Sequence, residues 1–232
     1  MEKIKVSDKE ANCPYIAYAA EAVANMNRRS VEISFSDERV QLAVEAPREE
    51  VEKTKAILAD CIAEIVCIGY KYNFFSERIH PAGLDKEGHD LLISSIIAAD
   101  FEEEFRYARM RLKEIDVYTI DGFFDFRMQA LRDKWKGVAA CVPEFFSQSQ
   151  LVDFVQYLFS NSKKKIFLKN GKVYDWRCRR LHRSALIGGD MDTAIREIIL
   201  SGAGKIECLS ALSPEQENFL RRYYADRVEF SY

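Results

Sequence analysis

Residues 31–44 read VEISFSDERVQLAV. Val31, Ile33 and Phe35 alternate with Glu32 and Ser34, which is the period of a half-buried strand. Val40, Leu42 and Val44 alternate in the same way, and Ser36-Asp37-Glu38-Arg39 between the two runs supplies a turn, so the stretch predicts a hairpin. On its N-terminal side, residues 14–26 place Ile16, Ala19, Ala20, Val23 and Ala24 on one helical stripe, preceded by a short strand over residues 3–6. On its C-terminal side, Pro47 opens a long helix at its first turn, where a missing N–H costs nothing. Ile57, Cys61, Ile65 and Ile68 carry the apolar face of that helix. The order strand–helix–strand–strand–helix is that of an α+β unit with its helices packed on one sheet face.

His80-Pro81-Ala82-Gly83 punctuates the chain, dividing it into an N-terminal unit, 1–80, and a C-terminal domain, 81–232. The second part opens as helix. Over residues 85–114, Leu92, Ile96, Ala99, Phe105, Ala108 and Leu112 recur at helical spacing, with Glu102 and Arg106 as an i,i+4 pair on the other face. Thr119 then N-caps a helix whose stripe is Ile120, Phe124, Met128, Leu131, Trp135, Val138 and Val142, and Pro143 stops or kinks it. A shorter helix carries Leu151, Phe154, Val155 and Leu158. Asn170-Gly171 between residues 165–169 and 172–176 is a strong hairpin signal. A helix over 192–201 ends at Gly202, a strand follows over 205–209, and Ser213, Pro214 and Gln216 form a capping box. A last strand covers 227–230. The fold class is α+β: the N-terminal unit, a helical middle, and a C-terminal hairpin plus strand–helix–strand.

The 232 residues are 48% hydrophobic and 31% charged, a globular composition. The polar start MEKIKVSDKE is unlike a signal peptide. The apolar run 91–99 is far too short to span a bilayer. A cytoplasmic protein with no membrane partner is expected. The six cysteines, Cys13, Cys61, Cys67, Cys141, Cys178 and Cys208, show no paired spacing and read as buried reduced thiols.

Charge is distributed unevenly. Residues 163–183 read KKKIFLKNGKVYDWRCRRLHR, with nine basic side chains and one acid, leaving 25 basic and 36 acidic side chains elsewhere. The candidate partner-binding residues are Lys163, Lys164, Lys165, Lys169, Lys172, Trp176, Arg177, Arg179, Arg180 and Arg183. Asp175 cannot neutralise them all. Three readings fit: a solvated edge hairpin, since lysines discourage edge pairing; a surface for an acidic protein partner or for self-association; and a nucleic-acid site, with Phe167, Tyr174 and Trp176 available for stacking.

Other clusters carry less. Cys178 and His182 supply two ligands where zinc usually needs four. His80, His89 and His182 lie beside no activated nucleophile. Gly188-Gly189-Asp190 could cradle a phosphate, but a loop with Asp190 or Asp192 capping the next helix explains it better. Asp100, Glu102, Glu103 and Glu104 read as a solvated face, and the phenylalanines of residues 123–127 (FFDFR) as core. Arg127 is expected to pair with Asp121 or Asp125. No catalytic, metal or cofactor site emerges, and the chain reads as non-enzymatic.

Ile120-Asp121-Gly122-Phe123 followed by Phe126-Arg127, the helix carrying Leu151-Val152-Asp153-Phe154, the hairpin with Gly171 and Tyr174, and the closing segment from Ile206 to Arg227-Val228 resemble the YtxC-like family of sporulation proteins from endospore-forming Firmicutes. The resemblance covers roughly the C-terminal half to two-thirds of the chain. It implies a sporulation-associated cytoplasmic protein whose biochemistry is not established, and it assigns no catalytic residue. The expected function is a protein-binding or self-associating module, with nucleic-acid binding through 163–183 as the alternative.

Overall fold

A computed structural model describes residues 1–24, 30–113 and 118–232. The expected end of the first helix at Met26 and of the long helix at Glu114 lie outside the described residues. The fold is α+β, with two mixed four-stranded sheets. The chain forms two compact units, each discontinuous in sequence: residues 1–71 with 102–137, and residues 72–101 with 138–232. The contiguous division at 80/81 is therefore corrected. Pro81 to Gly83 is no linker, because Ala82 donates its N–H to the Glu144 carbonyl and accepts from the Phe146 N–H, each at 2.8 Å.

In the first unit, β1 (Glu2–Lys9), β2 (Ser30–Ser36), β3 (Arg39–Ala46) and β4 (Tyr118–Thr119) form a sheet in the order β2-β3-β1-β4. The expected hairpin is present: Val31 faces Val44, Ile33 faces Leu42 and Phe35 faces Val40. Asp37 and Glu38 turn the chain at φ 51° and 59°, the left-handed pair that a two-residue hairpin needs. Ile4, Val6, Val40, Leu42 and Val44 are buried, and α1 (Cys13–Ala24) brings Ile16, Ala19, Ala20 and Val23 into the same core. β2 departs from expectation, because its apolar side is not buried: Ile33 is 39% and Phe35 57% exposed. Burial on that face ends with β3, and β2 stands at the sheet edge.

Pro47 does not open an α-helix directly. A 3-10 turn, Arg48–Glu50, intervenes before α2 (Val51–Glu64). A π-helical segment, Ile65–Tyr70, leads from α2 into α3 (Lys71–Ser76). Gly69 is required there, because a Cβ would meet the Tyr15 ring at 2.7 Å. The long helix, α4, is Lys86–Leu112. The stripe from Ile120 is carried by two helices, α5 (Ile120–Arg127) and α6 (Gln129–Cys141), rather than one. Ile120, Met128, Leu131 and Trp135 are buried, whereas Phe126 is 81% exposed and so is not core.

In the second unit, α7 (Gln148–Ser160) precedes β5 (Lys165–Lys169), β6 (Lys172–Tyr174), α8 (Thr193–Ser201), β7 (Lys205–Cys208), α9 (Pro214–Tyr223) and β8 (Val228–Phe230). The sheet order is β6-β5-β7-β8, with β5, β7 and β8 parallel and β6 antiparallel to β5. Asp192 caps α8 by accepting the Ile195 N–H at 3.0 Å, and Gly202 ends it at φ 63°. Ser213 and Gln216 form the expected capping box. Ile166, Leu168, Val173, Ile206 and Cys208 are buried on one sheet face, as are Ile195, Ile198 and Ile199 of α8 and Leu220 of α9. Among the described residues, no helix is long and apolar enough to cross a membrane.

Candidate functional site

The hairpin of β5 and β6 turns at Asn170 and Gly171, both left-handed at φ 51° and 68°. This matches the turn type that Asn-Gly favours. The register opposes Lys169 to Lys172, Leu168 to Val173 and Phe167 to Tyr174. Because side chains alternate along a strand, burying Ile166, Leu168 and Val173 leaves Lys165, Phe167, Lys169, Lys172 and Tyr174 together on the opposite face. The register continues across the sheet, so that Tyr174, Phe167, Glu207 and Glu229 form one row.

That row divides the charge. Lys165 Nζ lies 2.8 Å from Glu207 and 3.3 Å from Glu229. Its hydrogen bond holds the Glu207 carboxyl below the usual carboxylate range. The strand face is thus charge-balanced over β7 and β8 and basic over β5 and β6. Lys169 and Lys172, directly opposed, have no carboxylate partner among the described residues. Like charges directly opposite one another are destabilising in a sheet.

After β6 the chain folds back along the open edge. The Asp175 carboxylate accepts the backbone N–H of Arg177 at 2.8 Å and of Arg179 at 2.9 Å, and the Arg179 side chain at 2.9 Å. Burial acts to raise the Asp175 pKa, but those hydrogen bonds from Arg179 and Arg177 outweigh it and hold the group below its ordinary value. Leu181 then donates its N–H to the Val173 carbonyl at 2.9 Å, covering part of the β6 edge. Cys178 sits at φ 59° on this return.

The ten sequence candidates therefore separate. Lys165 and Arg179 are neutralised by carboxylates. Lys164 reaches the Ser201 carbonyl, and the Arg183 guanidinium lies 4.2 Å from the Phe101 ring centroid. Lys163, Lys169, Lys172, Arg177 and Arg180 are exposed. Trp176 is 68% exposed, with the Arg177 guanidinium 4.5 Å from its ring centroid. Lys169 and Lys172 rim a hollow of about 420 Å³ whose other walls are Phe167, Asn170, Tyr174, Cys178 and Leu209. Leu209 and Cys178 are additions to the sequence candidates. Strand alternation places Phe167 and Tyr174 on one face, but only the third strand brings Leu209 alongside.

The remaining candidates are placed as follows. Arg196 donates five hydrogen bonds to the carbonyls of Ile187, Gly188, Gly189 and Met191, so the Gly188-Gly189 loop is organised around a cation rather than as a cradle for phosphate. No group of three or more His, Cys, Asp and Glu side chains that could hold a metal is assembled among the described residues. Arg127 does not form the expected pair: Asp121 pairs with Arg39 at 2.7 Å and Asp125 with Arg132 at 3.5 Å. Glu104 is not part of a solvated face. It is buried, 2.8 Å from buried Lys71 and 3.1 Å from the Trp135 indole nitrogen. Arg106 donates its Nε–H to the Glu102 carbonyl oxygen. Cys61, Cys67 and Cys208 are buried as expected, but Cys141 and Cys178 are exposed.

Compared with protein-family models, curated proteins and solved structures, the chain matches none.

Proposed function

We propose that this chain is a non-enzymatic binding protein whose open β5–β6 face takes an acidic segment of a partner protein. The observation that carries this reading is the pair Lys169 and Lys172, opposed without a counter-charge at the rim of a hollow lined by Phe167, Tyr174 and Leu209. An incoming carboxylate relieves the repulsion between the two ammonium groups, and an apolar or aromatic side chain beside it fills the hollow. Contact with aromatic walls and a polar rim is the anatomy of a protein-binding patch. Its association with sporulation is part of the proposal on the strength of the family resemblance alone; a transcript that rises on entry into sporulation would support it.

Trp176, two residues beyond Tyr174 of the hollow, is exposed, whereas the other tryptophan, Trp135, is buried, so tryptophan fluorescence serves as a reporter close to this face. Titration with Glu-rich peptides carrying one Phe or Leu should give a saturable change in tryptophan fluorescence that weakens with salt. Lys169→Glu with Lys172→Glu should abolish it. Equal binding by wild type and double variant overturns the assignment to this face.

A second reading, single-stranded nucleic acid, is favoured by exposed Trp176 with Arg177 stacked on it, a geometry suited to base stacking. Retention of oligo(dT) or oligo(U) at low salt with a steep salt slope, and no peptide response, would replace the first reading by this one.

A further inference from the structure

The second sheet's outer strands are short or covered. β8 and β6 have three residues each, and β6 is further bridged by the returning chain at Arg180 and Leu181. In the first sheet, the edge strand β4 has two residues. β2 is different. It is a seven-residue edge strand, SVEISFS, without lysine or proline, and among the described residues its backbone hydrogen-bonds to β3 alone. Natural edge strands usually carry a lysine, a proline, a bulge or a covering element to prevent further pairing. Among the described residues β2 carries none of these; its one charged side chain, Glu32, has Lys3 Nζ at 3.8 Å, and beside the edge lies an exposed apolar strip of Ile33 and Phe35.

The order of residues identifies what fits there. Read from either end, SVEISFS has serines at both ends, apolar residues at the second, fourth and sixth places and polar residues between. In antiparallel pairing of two copies about Ile33, Val31 meets Phe35, Ile33 meets Ile33, and Ser30 meets Ser36. Glu32 meets Ser34 at both symmetry-related places. All seven residues pair, the apolar side of each strand continues that of the other, and no like charges are opposed. Moving the centre to Glu32 opposes two carboxylates, as does parallel in-register pairing; moving it to Ser34 shortens the ladder. An isologous contact of this kind closes on itself as a two-fold dimer.

We infer that the chain pairs with a second copy of itself through β2, antiparallel about Ile33, joining two four-stranded sheets into one of eight strands. This contact is separate from the β5–β6 face and does not depend on the function proposed for it.

Sedimentation velocity of the full chain over a concentration series tests the pairing. The wild type should pass from monomer to dimer, with no larger species. Ser34→Glu opposes a second carboxylate to Glu32 at each of the two symmetry-related places and should weaken the dimer about tenfold. Ser34→Lys supplies opposite charges at the same positions and should leave the dimer intact or tighten it. Ile33→Lys places two ammonium groups together on the two-fold axis and should give a monomer. Position 34 is exposed, so circular dichroism should show the Ser34 variants folded even if the Ile33 variant is not. A wild type that stays monomeric, a dimer that survives in folded Ile33→Lys, or equal effects of the two Ser34 variants would overturn the inference.

Discussion

Glu104 and Lys71 have no exposed side-chain surface, and their ion pair has the Trp135 indole N–H as a further donor to the carboxylate. Lys134 Nζ lies 3.3 Å from the same carboxylate, so removing Glu104 takes the ion-pair partner from buried Lys71, and Glu104→Gln should cost about 3–5 kcal/mol in chemical denaturation. Lys71→Met with Glu104→Leu should cost clearly less, since it removes both charges. The run of acids in residues 100–104 hid this pair, yet a signal was present. Leu92, Ile96, Ala108 and Leu112 define a helical face in steps of four, and position 104 falls on it. Nothing in the sequence points to Lys71 as the partner, because the match depends on how distant segments pack. Asp8 and Asp121 show opposite electrostatics within the same unit. The Arg39 hydrogen bonds hold Asp121 below its ordinary pKa of 3.8, so its contribution is present above that value and is lost as the pH falls through the lower, folded-state pKa. Burial raises Asp8, against hydrogen bonds from Asn12 and Tyr70, so its burial favours the folded state at low pH and that contribution is lost as the pH rises through its raised folded-state pKa. In a series of urea melts, Asp121→Asn should flatten the acid limb of stability, and Asp8→Asn should remove a loss on the way up. An unchanged acid limb in Asp121→Asn would contradict the role given to its pairing with Arg39.

At the scale of elements, both hairpins were legible because their information is local. Alternation fixes which side chains share a face, and Asn170-Gly171 supplies the left-handed pair that the second turn requires. Gly171→Val should therefore cost roughly 1–2 kcal/mol, from forcing a β-branched residue to positive φ. A loss near zero would mean that the turn adopts another geometry. The break at Met128 was not legible, since α5 and α6 keep one apolar stripe across it. Periodicity reports which residues face the core and is blind to a single residue leaving helical dihedrals, here φ −106° and ψ 25°. Phe124 is half-buried, with ring centroids of Tyr70 and Trp135 at 4.7 and 5.8 Å. Phe124→Ala should cost about 2–3 kcal/mol, below the range for a fully buried phenylalanine. A change under about 1 kcal/mol would show that these ring contacts contribute little.

At the scale of the whole molecule, the sequence concealed what depends on joining distant segments. The two compact units are discontinuous, so punctuation at Pro81 and Gly83 could not mark their boundary. The charge of residues 163–183 was plain in the sequence, but its division into neutralised and unneutralised parts was not, because Glu207 and Glu229 arrive on later strands. Likewise Leu209 joins the hollow only through the parallel pairing of β5 with β7. The cysteines give this arrangement a chemical readout. Burial pushes the Cys61 thiol up to about 12 and the Cys208 thiol up to about 11, and raises Cys67 as well, so these three should resist alkylation in the native protein. Cys141 and Cys178 are exposed and should react first. Cys178 lines the hollow, and Cys141 lies outside it. Site-resolved alkylation rates with and without a saturating Glu-rich peptide carrying one Phe therefore test the binding face directly. Peptide should slow Cys178 while leaving Cys141 unchanged, and Lys169→Glu with Lys172→Glu should remove the protection. Peptide that binds while Cys178 reacts at its unprotected rate would contradict binding at this face.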